Sequence, residues 1–193
     1  MTAAIQPALA QPLGSNPPVV VGQGEAILSG RPRGAQLLAA VVETLQQAAD
    51  PSATPLDLSG VAFLDVSCAD ELLNKLLRRV GSGELGGRYV FLQGANVSVS
   101  ETVETVLRLR SLCVLSRQGN EVAVLGELAR PLRDALEILI RKKALSSAEM
   151  AAALGKNTNI VCNRLNTLQR QGLACRQQDA GPGGRRYTYV SIL

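Results

Sequence analysis

The chain has 193 residues and a formal charge of +4, from 20 Lys+Arg against 16 Asp+Glu, with four cysteines and no histidine. Without histidine it lacks the commonest general base and the commonest metal ligand. An aromatic content of 3 % leaves few rings on which single-stranded bases could stack, and charged or polar residues and prolines interrupt every apolar stretch well short of the ~20 residues that a membrane span needs.

Residues 1–18 are Ala, Gln, Pro, Gly and other uncharged types. No lysine or arginine precedes the mildly apolar part, so a signal peptide is not expected, and its composition predicts a disordered tail. From residue 19 to 127 the pattern alternates between strands and helices. Ala26 to Leu28 is a short strand. Gly34 to Ala49 is an amphipathic helix with Leu37, Leu38, Val41, Val42 and Leu45 on one face. Pro55 to Leu64 carries a strand and Ser67 to Val80 a helix. A glycine-rich loop follows at Gly81 to Gly87, then a strand at Arg88 to Leu92. Ser98 and Glu101 form a capping box that opens a helix through about Leu109. Cys113 to Leu115 and Val122 to Leu125 are strands joined by a turn at Gln118-Gly-Asn120. Such alternation predicts one α/β domain, a sheet with helices against it.

The run from Leu56 to Leu72, LDLSGVAFLDVSCADEL, resembles the STAS domain, in particular the STAS-like domains of bacterial regulators. The later strand Arg88 to Gly94 and the helix after it also fit. The resemblance implies a small mixed sheet with helices and a role in switching protein partners. In anti-sigma-factor antagonists of this family, a serine before the helix is phosphorylated, and Ser67 occupies that position; where they have glycine next, this chain has Cys68. The residues themselves offer a second role for Ser67. It can cap the helix, with Asp70 three positions on, while Asp65 and Asp70 would repel a phosphate.

Residues 128–193 change character. From Ala129 onward there are eleven Lys+Arg against four Asp+Glu, whereas the preceding part has nine against twelve. A basic module is thus joined to a slightly acidic one, which points to a polyanionic partner for one end only. A first helix is predicted from about Pro131 to Lys143. A second opens at Ser146 with the capping box Ser146–Glu149 and ends at Gly155. A third runs from about Thr158 to Gln171 with Val161, Leu165 and Leu168 inward. Two strands, Ala174 to Gln177 and Arg185 to Val190, flank a turn at Asp179 to Gly184 that is expected to be neither helix nor strand. Each half has its own apolar stripes, so a cut near Glu127 is expected to leave two folded pieces.

The stretch from Leu145 to Gly155, then Asn159-Ile-Val-Cys-Asn-Arg-Leu165, Leu168 and Gly172-Leu173, resembles the winged helix-turn-helix regulators of bacteria. The resemblance implies a third helix in the major groove and a hairpin wing on the backbone or minor groove. With the apolar stripe inward, Asn159, Asn163, Asn166 and Arg170 lie toward the other side, and Asn157 and Thr158 sit at the helix start. Asparagine can pair with adenine and arginine with guanine or phosphate. Lys156, Arg185 and Arg186 are candidate phosphate contacts.

The four cysteines show no C-x-x-C pairing and are expected to be reduced core residues; Cys162 on the third helix could sense oxidants or simply fill space. The glycine-rich loop lacks the lysine and spacing of a phosphate loop. No acid–base pair or triad can be assembled, so no enzyme, metal or cofactor is expected. The expectation is a cytoplasmic, homodimeric bacterial transcription regulator. Its winged helix would read double-stranded DNA, and its STAS-like domain would serve sensing, dimerisation or protein contact. The alternatives are a partner-switching adaptor whose winged helix binds protein, and a nonspecific DNA-organising protein.

Overall fold

A computed structural model describes residues 13–181 and 184–193; of 179–181 and 184–186 only the backbone is described. The tail expectation therefore lies outside the described residues as far as residue 12, as do Pro182 and Gly183 of the expected turn. The chain is a mixed α/β protein, with six helices among the described residues.

Its N-terminal half is built on one six-stranded sheet. Strands β1 (Gly14–Ser15) and β2 (Val19–Val20) both pair with β4 (Ser52–Asp57), and β6 (Arg88–Gln93), β7 (Cys113–Gln118) and β8 (Glu121–Gly126) follow outward. All pairings are parallel except β7 with β8. A separate parallel pair joins β3 (Ile27–Leu28) to β5 (Phe63–Leu64). Strands β4 and β6 are buried along nearly their whole length, as parallel strands covered on both faces must be.

Strand β1 corrects the reading of Leu13 to Pro18 as tail. Gly14 and Ser15 pair with Ser52 and Ala53, and the Asn16 Nδ2 donates to Ser52 Oγ at 2.9 Å and Thr54 Oγ1 at 2.8 Å. Backbone pairing and a polar clamp need no apolar pattern, so composition alone cannot reveal them. The strand expected from Pro55 to Leu64 is also divided. Ser59 N–H donates to Asp57 Oδ1 at 2.9 Å and Val61 N–H to the Leu58 carbonyl at 2.9 Å, a turn that separates β4 from β5.

Helix α1 (Arg31–Gln47) starts three residues before the expected Gly34, because Pro32 suits a first turn. Its buried face is the predicted one, Leu37, Leu38, Val41, Val42 and Leu45. Helix α2 comprises three consecutive segments, Val66–Ala69, Asp70–Asn74 and Lys75–Ser82, the middle one with π geometry. The two helices meet closely at Gly34, where a β-carbon would sit 2.7 Å from the Cys68 carbonyl oxygen. Helix α3 (Val97–Leu109) is capped by Asn96, whose side chain accepts from Val99 N–H at 2.9 Å. The Ser98–Glu101 capping box is therefore not formed. Asn96 wins because its Nδ2 also donates to the Val61 and Ala62 carbonyls, at 2.9 and 3.2 Å.

The C-terminal half runs α4 (Arg130–Lys142), β9 (Ala144–Ser146), α5 (Ser147–Leu154), α6 (Thr158–Arg170), β10 (Ala174–Gly181) and β11 (Gly184–Ser191). The strands form an antiparallel sheet in the order β10-β11-β9. The Ser146–Glu149 capping box is complete, and Gly155 ends α5 in the left-handed conformation at φ 59°. Val161, Leu165 and Leu168 are fully buried. Strand β9 has no counterpart among the elements expected from the sequence; three residues show too little alternation. The hairpin strands also run further than expected, since Asp179 to Gly181 and Gly184 belong to the ladder. Small residues do not prevent backbone pairing once the hairpin register is set.

The halves are not separate bodies on a linker. The end of α2 meets the end of α6: a β-carbon on Gly81 would lie 2.5 Å from the Arg170 carbonyl oxygen, and one on Gly172 would lie 3.0 Å from Val80 Cγ1. Beside them lies the buried Tyr89 of β6, whose hydroxyl is influenced by Cys175 and Gln169 of the other half. The buried residues of both halves form one continuous core.

Candidate nucleic-acid interface

Helix α6 positions the candidate contacts. Its three inward residues leave an outer side on which Asn159 and Asn163 are exposed, with Thr158 exposed at the first turn and Lys156 exposed just before it. Neither Asn159 nor Asn163 has a side-chain partner among the described residues. Asn157 is differently placed. It is the N-cap, and its side chain accepts from Asn159 N–H at 2.8 Å, so it holds the helix start rather than reaching outward.

Asn166 is also committed. Half-buried, its Oδ1 accepts from the Tyr189 hydroxyl at 2.8 Å and from Arg176 Nη1 at 3.3 Å. It ties α6 to the hairpin. Arg176 in turn stacks over the Tyr187 ring, 4.7 Å from its centroid. Burial holds the Tyr189 hydroxyl proton more firmly than usual. The sequence does not announce this Arg176–Tyr187–Tyr189–Asn166 cluster; alternation along β10 and β11 could have placed Arg176 and Tyr189 on one face, but not against α6. Arg170 is exposed at the far end of the helix, beside the contact with Gly81. Arg185 and Arg186 stand on β11, opposite Ala180 and Asp179, with side chains outside the described portion. Ile160, absent from the candidates that the sequence suggests, is an exposed apolar residue on the outer flank of α6, 48 % accessible.

Cations cluster elsewhere on this half. Arg141 and Lys142 are exposed at the end of α4, where positive charge suits the helix dipole. Lys143 Nζ donates to the Leu193 carbonyl at 3.1 Å. Glu149 is held below the usual carboxylate range by the Ser146 hydroxyl and backbone N–H, so the carboxylate is spent on its own cap.

Ser67 belongs to a second site, on the N-terminal half. It does not cap α2. The cap is Asp65, which accepts from Cys68 N–H at 2.6 Å, Gly30 N–H at 2.8 Å and Ser29 Oγ at 2.5 Å. The Ser29 hydroxyl, foremost, holds this carboxyl low. A carboxylate one residue before the helix outcompetes a hydroxyl inside its first turn. Ser67 is consequently exposed, at the rim of a cleft of about 120 Å³ with Arg31, Val66, Asp70, Leu109 and Arg110. Arg110 forks onto Asp70 at 2.7 and 2.8 Å, which holds that carboxyl low, and Arg31 lies 3.5 Å from both Asp70 and Glu71. Val66 and Leu109 on the rim are exposed apolar residues; elsewhere on this half Ile27 and Phe63, opposite each other on β3 and β5, are exposed as well.

Cys68, Cys113 and Cys175 are buried. Burial, with the Asp65 charge, pushes the Cys68 thiol up to about 11, and burial pushes Cys113 to about 11. Such thiols are poor nucleophiles and behave as small apolar residues. Among the described residues no group of three or more acidic or cysteine side chains is placed to hold a metal ion, and no helix is long and apolar enough to cross a membrane. No protein-family model, curated protein or solved structure matches this chain.

Proposed function

We propose that this protein is a DNA-binding transcriptional regulator. In this reading the C-terminal half is a winged helix-turn-helix that lays α6 in the major groove of duplex DNA, with β10–β11 as the wing. The N-terminal half is a STAS-like domain that serves sensing, dimerisation or contact with a protein partner.

One observation carries the reading. The exposed start of α6 presents Lys156, Thr158, Asn159 and Asn163, on a half with eleven basic against four acidic residues. Amides with no side-chain partner among the described residues, on a helix of 13 residues flanked by a hairpin, suit base edges, and the charge suits phosphates. The experiment is a fluorescence titration of the full chain with random and selected duplexes at several salt concentrations. Steep salt dependence and a preference for the selected duplex support a regulator; steep salt dependence with no preference supports nonspecific DNA organisation.

A second reading, a partner-switching adaptor, is favoured by the exposed Val66 and Leu109 at the Ser67 cleft and by the exposed pair Ile27 and Phe63 on β3 and β5 of the same half. Absence of duplex binding at low salt, together with capture of a protein partner that no longer binds once Phe63 is substituted, would establish that reading.

A further inference from the structure

Ile160 is an exposed isoleucine beside the two exposed asparagines of α6. Ile160 stands one position from Asn159 and three from Asn163, on the flank of α6 away from the Asn166–Tyr189 tie. It is 48 % accessible, while the inward Val161, Leu165 and Leu168 are fully buried. It therefore does not belong to the core stripe, and as a β-branched residue it is a weaker helix former than the alanines of α5. Among the described side chains, no fully exposed arginine stands on the first turns of α6. Arg164 is half-buried, Arg170 sits at the opposite end against Gly81, and Arg176 is engaged with Tyr187 and Asn166.

These placements make a chemical selection. Guanine is read chiefly by arginine or lysine, adenine by asparagine through its N6 and N7, and thymine by apolar contact with its C5-methyl. The first turns of α6 carry two exposed asparagines and an isoleucine. Lys156 lies outside the helix, before its cap, where a backbone phosphate is the closer anion.

We infer that the duplex read by α6 is A·T-rich at its centre, and that Ile160 is a specificity-determining residue which packs on a thymine methyl while Asn159 and Asn163 face adenines. This rests on the DNA-binding reading of the same helix. The charge of the surrounding half supplies affinity that is independent of sequence; Ile160 supplies none of that, so its removal changes choice of sequence rather than attachment.

The test uses the full chain. Duplexes are first selected from a random pool by the wild type and by Ile160→Ala. The preferred duplex is then remade with deoxyuridine for each thymidine in turn, which removes only the methyl group. An A·T-rich consensus is expected, with one thymidine whose replacement weakens wild-type binding about fourfold, the value of one buried methyl. The same replacement should leave Ile160→Ala unaffected, and that variant should keep its far-ultraviolet spectrum and its salt slope. A G·C consensus, no consensus, or a uridine penalty that persists unchanged in Ile160→Ala overturns the inference while leaving duplex binding in place. Failure of the wild type to bind any duplex at low salt overturns the DNA-binding reading, and the assignment of Ile160 falls with it.

Discussion

Replacing Gly81 with alanine sets two effects of opposite sign against each other. Gly81 lies in the last turn of α2, and glycine in a helix is worse than alanine by roughly 0.5–1 kcal/mol. Propensity alone therefore stabilises the variant. The added methyl, however, would sit 2.5 Å from the Arg170 carbonyl oxygen, which is backbone and cannot swing aside. Overpacking of this kind costs about 1–3 kcal/mol, so the clash wins by about 1 kcal/mol and lowers Tm by about 2–4 °C for a chain of this length. Gly60→Ala is the control: nothing lies within 4 Å of its β-carbon position, and its effect should stay within about 0.5 kcal/mol. Urea and thermal unfolding of the three proteins decide the matter. A Gly81→Ala protein that melts higher than wild type refutes the packing of α2 on α6, because only propensity would then be acting.

If Lys156, Arg185 and Arg186 meet phosphates, the triple alanine variant should bind all duplexes more weakly alike, with a salt slope smaller by about one for each phosphate no longer neutralised; an unchanged slope removes them from the interface. Asn163→Ala should cost about 1–3 kcal/mol at one base position, whereas Asn166→Ala should lower stability by about 1 kcal/mol, because Tyr189 and Arg176 then have no amide to bond, and should leave base preference intact; equal relaxation of specificity in both would contradict the geometry. Ser67 is exposed and caps nothing, so Ser67→Ala should leave stability unchanged, and Ser67→Asp alone should alter partner or DNA affinity if the cleft is a switch; equal behaviour of the two would make the serine incidental. The carboxyls of Asp65, Asp70 and Glu149 are held below their ordinary values of 3.8, 3.8 and 4.5. Their contribution is complete above those values and is lost as pH falls through the depressed ones, so unfolding midpoints should be flat from about pH 5 to 7 and drop below about pH 4; a loss beginning near pH 6 would exclude them as the cause.

The periodic signals in the sequence are the ones the structure retains. Five apolar positions at helical spacing placed the buried face of α1, and three placed that of α6, because a helix that packs on a core has no other face to offer. The Ser146–Glu149 box was legible for the same reason: both partners of a local bond lie within four residues. Misreadings occurred where two local solutions competed. Ser67 and Ser98 both looked like caps, yet Asp65 and Asn96 take those places, each because it gains bonds to residues about 35 positions away, Ser29 and Gly30 in one case, Val61 and Ala62 in the other. The helical angle alone groups Asn166 with Asn159 and Asn163; only the fold brings Tyr189 and Arg176 beside it. Strands β1, β2 and β9, of two or three residues, are held by pairing partners and carry no alternation to detect.

The contact between the halves bears on how α6 can be used. At its start the helix is held by the Asn157 cap, in its middle by Asn166 against the hairpin, and at its end by Gly81 of α2 against the Arg170 carbonyl. The end of α6 is covered by α2 through the Arg170 backbone, whereas the Arg170 side chain and the first turns of α6 are exposed. Holding a helix at three points also lowers the cost of ordering it on binding. Helix α2 extends from this contact back to Val66, roughly 25 Å at the rise of a regular helix, and Ser67 with its cleft stands at that far end. One rigid element thus touches both the candidate partner site and the candidate reading helix. Touching is not coupling, which requires two arrangements whose balance each site shifts. The DNA affinity of Ser67→Asp relative to Ser67→Ala reads that balance, because the substitution lies at the far end of α2 from α6 and a difference between the two variants requires coupling through α2 or the shared core.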